Sequence, residues 1–162
     1  MPMISRASWK WIGAGVLVAG VVAGPMLIGR TEPVTRERLT AARQQWAAAK
    51  LADYDMELDS SGAQTGRYHV EVRGGTLTHI TRNGQPADPA QGHYWTVEGL
   101  FDTIEEEVDL IEHPSSGSFS QGRQAWLRMR CHPTLGYPLR YIRQVPGTTL
   151  GVEMRVRSLE AK

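Results

Sequence analysis

The chain opens with a polar tail and then runs from Trp11 to Gly29 without a charged residue. Nineteen residues at about 1.5 Å of helical rise reach roughly the thickness of a bilayer hydrocarbon core. The pattern then changes. Thr35 can cap a helix to about Lys50 that places Leu39, Ala42, Trp46 and Ala49 along one side. From Tyr54 the period drops to two: Tyr54, Met56 and Leu58 alternate with Asp55, Glu57 and Asp59, and Ser60-Ser61-Gly62 makes a turn. Tyr68, Val70 and Val72 alternate with charged neighbours, and Gly74-Gly75 forms a two-residue hairpin turn into a strand from Thr76 to Arg82 that Asn83-Gly84 ends.

The segment from Gln85 to Gly92 reads as a loop. Thr96 caps a second helix with Val97, Leu100, Phe101, Ile104 and Val108 on one face. A Ser- and Gly-rich connection from Ser115 to Gly122 leads to strands at Gln124 to Cys131, Leu139 to Val145 and Leu150 to Arg157. The order α-β-β-β-α-β-β-β implies an α+β domain, an antiparallel sheet with helices on one face, because hairpin-length connections cannot make parallel crossovers. The chain therefore divides into a basic tail (1–10), an apolar anchor (11–29) and one domain (30–162).

The apolar run has two readings. Trp9 and Trp11 suit a membrane interface, and Gly13, Gly15, Gly20 and Gly24 leave a small-residue surface on the helix. Gly20 and Gly24 form a small-xxx-small pair where another helix could pack closely. The competing reading is a cleavable signal peptide, with Arg6 and Lys10 ahead of the run and Val22-Ala23-Gly24 as a cleavage site. Pro25 after that site, and the apolar continuation through Met26, Leu27 and Ile28, favour an uncleaved anchor. Arg30, Arg36, Arg38 and Arg43 outnumber Arg6 and Lys10 as flanking positives, which taken literally directs the domain inward. A short basic tail before a signal-like run is the usual start of an exported chain, so the expectation is a single pass through the inner membrane with the domain outside the cytoplasm.

Charge sharpens this picture. The formal net charge is +1, and from Arg30 onward sixteen basic residues face seventeen acidic ones. That balance gives no nucleic-acid signature. From Glu98 to Glu112 there are seven acids and no base, whereas Arg123 to Arg157 holds seven arginines and one acid, Glu153. Consecutive acids on a helix read as a solvated face. Strand alternation sets Glu153, Arg155 and Arg157 outward opposite Val152, Met154 and Val156, and sets Arg128 and Arg130 beside Trp126. Arginine and exposed tryptophan are enriched at binding surfaces, so Trp126, Arg128, Arg130, Arg155 and Arg157 are the candidate docking residues, with Gly20 and Gly24 in the anchor.

Candidate chemistry is sparse. Five histidines invite a metal site, but a plain two-residue turn at Gly74-Gly75 pairs Val70 with His79, which puts His79 and His69 on opposite faces. His93, His113 and His132 show no ligand spacing. The lone Cys131 cannot form an intramolecular disulfide, and with His132 adjacent on the strand the two side chains point to opposite faces, so no nucleophile–base dyad is expected. Neither a catalytic residue, a metal nor a cofactor is assigned.

Trp46 through Tyr54, the Gly74-Gly75 hairpin, Thr96-Val97-Glu98-Gly99-Leu100-Phe101-Asp102 and Pro133-Thr134-Leu135-Gly136-Tyr137-Pro138 together resemble a bacterial family of exported or lipid-anchored domains of unknown function. The likeness covers roughly residues 39–158, and its most specific piece is the Gly-Tyr-Pro turn. Members show an acidic residue and an aromatic where this chain has His132 and Cys131. The resemblance implies an extracytoplasmic α+β module and carries over no catalytic residue.

These readings converge on a non-catalytic accessory subunit whose helix inserts beside other membrane-protein subunits and whose domain braces the assembly. Respiratory and photosynthetic complexes are hosts of that kind, although no residue names one. The alternative is an envelope binding module that captures a small molecule, peptide or lipid near Trp46, Tyr54, Trp95 and Tyr137.

Overall fold

A computed structural model describes residues 30–113, 125–149 and 151–162. The helix from Arg36 to Ala49 (α1) starts where Thr35 accepts the Arg38 N–H, and ends at Lys50 in the left-handed region. The helix from Val97 to Glu112 (α2) starts at Thr96, whose hydroxyl accepts the Gly99 N–H at 3.0 Å. Each cap satisfies an N–H that has no partner within its helix.

Among the described residues, eight antiparallel strands form one sheet. In chain order they are β1 (Glu32–Pro33), β2 (Tyr54–Ser61), β3 (Gly66–Arg73), β4 (Thr76–Arg82), β5 (Gln85–Pro86), β6 (Trp126–Cys131), β7 (Pro138–Gln144) and β8 (Gly151–Ala161). Their order across the sheet is β1-β6-β7-β8-β2-β3-β4-β5. Two meanders thus meet at the central β2–β8 pair. The α+β class and the antiparallel sheet agree with the hydrophobic pattern, and the six expected strands are present. The two-residue strands β1 and β5 are additional, too short for any alternation to register. The expected loop at 85–92 contains β5 and a 3-10 turn at Pro89–Gln91.

Both helices lie on one face. Tyr54, Met56, Leu58, Val70, Val72, Ile80, Tyr141, Met154 and Val156 point from the sheet into a core closed by Leu39, Ala42 and Trp46 of α1 and by Val97, Leu100, Phe101, Ile104 and Val108 of α2. Where Leu100 and Ile104 meet Pro138, Tyr141, Met154 and Val156, no space for a water molecule remains. Burying such side chains contributes about 1.5–3 kcal/mol each, which sets the register of every strand that carries them.

Two bulges alter expectations. Between Glu71 and Val72 the β3–β4 register shifts, so Val70 faces Ile80 and Glu71 faces His79. His79 therefore lies on the outer face with His69, not on the inner one as a plain hairpin requires. Thr78 is the extra residue, and its hydroxyl bonds the Glu71 carbonyl at 3.1 Å. The slip buries Ile80 in place of an imidazole. Between Glu57 and Leu58 the β2–β8 register also shifts, which carries Leu159 back toward the core and extends β8 past Arg157 to Ala161.

The turn at Gly136 shows why that position is glycine. Its φ is +77°, and a Cβ there would sit 2.4 Å from the Ala42 carbonyl oxygen of α1. The close approach seats Tyr137 against Trp46, ring centroids 6.0 Å apart.

Candidate functional site

Asp102, Glu105, Asp109 and Glu112 of α2 keep 43–53% of their side-chain surface open, as a solvated face requires, yet each is also paired with an arginine of α1. Arg36 reaches Asp109 and Glu112, and Arg43, seven residues on, reaches Asp102 and Glu105. Seven residues is two helical turns, so both guanidinium groups leave α1 on the side facing α2. Glu98 accepts from Trp46 Nε1 at 2.9 Å and from the Tyr54 hydroxyl at 3.1 Å, and that hydroxyl in turn accepts the Val97 N–H at 3.0 Å. Glu107 is buried, accepting from the Tyr141 hydroxyl and from Arg143 Nη1 at 3.1 Å. Burial raises the Glu107 carboxyl above the ordinary range, against the pull of Tyr141 and Arg143. The sequence pattern could not separate a latched acid from a hydrated one, because both lie off the apolar stripe.

Cys131 and His132 make packing and turn contacts. Burial pushes the Cys131 thiol up to about 11, away from the thiolate a nucleophile needs, and its Sγ lies 3.9 Å from Met129 Sδ. His132 Nδ1 accepts the N–H groups of Thr134 at 3.3 Å and Leu135 at 3.0 Å, and its ring stacks on Tyr137. On the outer face His69 Nε2 lies 3.5 Å from Glu71. Among the described residues no group of three or more metal-ligating side chains converges. The aromatics of the alternative reading are all buried: Trp46 packs edge-on to Tyr54 and Tyr137, whereas Trp95 stacks on Tyr68 at 3.9 Å.

What remains is the sheet face that no helix covers among the described residues. The register aligns Arg130, Arg140, Arg155, Asp59 and Arg67 in one row across β6, β7, β8, β2 and β3. A second row holds Arg128, Ile142 and Glu153, and Trp126 pairs with Gln144 beyond it. Farther along the sheet, Glu57, Asp55, Glu71 and Glu160 accumulate. The uncovered face is thus basic across β6 and β7 and carries its acids mainly on β2, where Arg73 and Lys162 pair with Asp55, a division that follows from register and could not be read from charge counts.

The candidate docking residues are unequal. Trp126 is 62% exposed, among the most open large apolar side chains described. Arg155 is exposed and makes no ion pair among the described residues, although Arg140 and Asp59 flank it in register. Arg157 bonds Asp59 at 2.6 Å, and Asp59 also takes Arg67 at 3.1 Å. That pairing, Arg157 first, holds the Asp59 carboxyl below its usual value. Arg128 donates to the hydroxyl and carbonyl of Thr31. Arg130 is half-buried beside Arg140, whose own guanidinium is taken by Glu153 at 2.8 Å. Gly20 and Gly24 lie outside the described residues, as does the 11–29 run. No helix among the described residues is long and apolar enough to cross a membrane.

A profile described as a family of unknown function (DUF6174) matches residues 38–112. The matched segment runs from α1 to the last residue of α2, taking in the hairpin and the Glu98 and Glu107 acceptors. The Gly136-Tyr137-Pro138 turn lies beyond it. Neither a curated protein nor a solved structure matches the chain.

Proposed function

We propose that this protein is a non-catalytic accessory subunit of a larger membrane-protein complex, held in the inner membrane by residues 11–29, with its domain outside the cytoplasm. The domain docks through the uncovered sheet face, and Gly20 and Gly24 let the anchor pack against a neighbouring helix. The observation that carries the reading is Trp126, exposed beside an arginine row on the sheet face that no helix covers among the described residues. A tryptophan with adjacent arginines is the composition of an interface centre, and the basic half of the face fits an acidic partner surface.

The arginines that follow the apolar run bear on orientation. Arg36 and Arg43 are bound to α2, and Arg38 to Glu32. These arginines therefore also serve the folded domain. Purification from the native membrane in mild detergent, with intact mass measured on the chain, tests the proposal. The expected result is a chain that keeps residues 1–30 and elutes with other membrane subunits in fixed proportion. A mature chain beginning near Pro25 or Met26 in the soluble fraction overturns it.

A further inference from the structure

We infer that His132 is an acid-sensitive clasp: its neutral ring holds the Pro133–Tyr137 turn closed against α1, and protonation of Nδ1 releases it. The observation is a pair of peptide units gripped from both ends. Nδ1 accepts the Thr134 N–H at 3.3 Å and the Leu135 N–H at 3.0 Å. The carbonyls of those same two peptides, on Pro133 and Thr134, both accept from Gln45 Nε2 of α1 at 2.8 Å. One imidazole nitrogen and one amide nitrogen thus share both peptides, and each bond polarises the one across from it.

Only the uncharged ring can do this. A nitrogen that accepts two N–H groups carries no proton, so the neutral ring has its proton on Nε2. A second proton has only Nδ1 to bind, where it turns the acceptor into a donor facing two donors. The turn is otherwise closed by backbone, His132 N–H to the Tyr137 carbonyl at 2.8 Å and Gly136 N–H to the His132 carbonyl at 2.9 Å. Its ends therefore persist while Thr134 and Leu135 come free. α1 feels that loss because it buries Leu39, Ala42 and Trp46, and the last two meet this turn: Gly136 at the Ala42 carbonyl, Tyr137 edge-on to Trp46. Tyr137, stacked on the ring at 4.9 Å, and Cys131 before it are both held protonated by burial, and α1 presents the uncharged Gln45. Among the described residues no acid pairs with the ring to hold its charge. Burial lowers the His132 pKa, and the two N–H donors act in the same direction. The clasp is complete above the unfolded value of 6.5 and is lost as pH falls through the lower folded value.

The test is imidazole-nitrogen and amide NMR on the isotope-labelled full chain in detergent, titrated from about pH 8 to about pH 5. At the alkaline end the His132 nitrogen shifts should report a bare Nδ1. Protection of the Thr134 and Leu135 amides, corrected for intrinsic exchange, should fall about tenfold along the His132 titration, the worth of two hydrogen bonds lost together. The Gln45 side-chain amide should move with them. His132→Asn supplies a carboxamide oxygen that accepts the same N–H groups and does not titrate, so protection should become independent of pH across this range. His132→Ala should be loose at both ends. A proton on Nδ1 at the alkaline end, or a His132 midpoint at or above 6.5, overturns the inference. So does amide protection, or a Gln45 amide, that stays unchanged through the midpoint, and so does a pH dependence that survives in His132→Asn.

Discussion

Glu107 offers the sharpest test of how α2 is held. Glu107 is 9% exposed, and its carboxylate serves two donors on β7, the hydroxyl of the buried Tyr141 and Arg143. Glu107→Ala leaves that hydroxyl without its acceptor, at about 1–3 kcal/mol. It also removes one partner of an ion pair, a change worth about 3–5 kcal/mol when both members are fully buried. The Arg143 side chain is 25% exposed, so water recovers part of that, and the expected loss is about 3 kcal/mol. Glu107→Gln keeps an acceptor for Tyr141 and should cost only about 1 kcal/mol. Tyr141→Phe should cost about 1–2 kcal/mol, and the double mutant should show a coupling of at least about 0.5 kcal/mol with Glu107→Ala. Urea denaturation of the full chain in mild detergent, followed by circular dichroism, reads all four. An alanine variant within about 0.5 kcal/mol of wild type, the usual range for a surface acid, would refute the latch.

Gly99→Ala should destabilise by about 1–3 kcal/mol, because the new Cβ would lie 2.0 Å from the His93 carbonyl oxygen and backbone must move; thermal unfolding checks it. Cys131→Ser and His132→Ala should leave any cellular phenotype intact, His132→Ala at about 1 kcal/mol for its two turn hydrogen bonds. Loss of function with folding preserved in either would restore an active-site reading. The lowered Asp59 carboxyl contributes stability above its unfolded value of about 4, and that contribution is lost as pH falls through the lower folded value. Asp59→Asn should therefore flatten the acid limb of a stability–pH curve, and an unchanged limb would count against the Arg157 and Arg67 pairing.

The core was legible wherever one period governed. Leu39, Ala42 and Trp46, the alternation from Tyr54, and Val97 through Val108 all bury as their spacing requires. What escaped reading depended on a single inserted residue or on a partner distant in sequence. Thr78 moves His79 to the other face, and nothing local distinguishes that bulge from a plain hairpin. Glu107 and Glu98 look like ordinary helix acids until Tyr141, Tyr54 and Trp46 arrive from other elements. The outward placement of Trp126, Arg128, Arg130 and Arg155 was readable from strand period, but which of them are tied was not. Thr31 takes Arg128, and Glu153 and Asp59 take the neighbouring Arg140 and Arg157, only through cross-strand register.

The central claim, that the domain docks on a partner complex through its uncovered face, meets its most direct test in co-purification. Arg155→Gln with Trp126→Ala removes one exposed charge and one exposed ring that have no ion pair or ring contact among the described residues, without setting an acid opposite Asp59, so folding should hold. Arg157 is better left in place, since a glutamate there would oppose Asp59. The double variant should lose associated subunits and the salt sensitivity of their binding, and Gly20→Leu with Gly24→Leu should weaken association by blocking close helix approach. A complex that survives both double variants at wild-type yield would contradict the account.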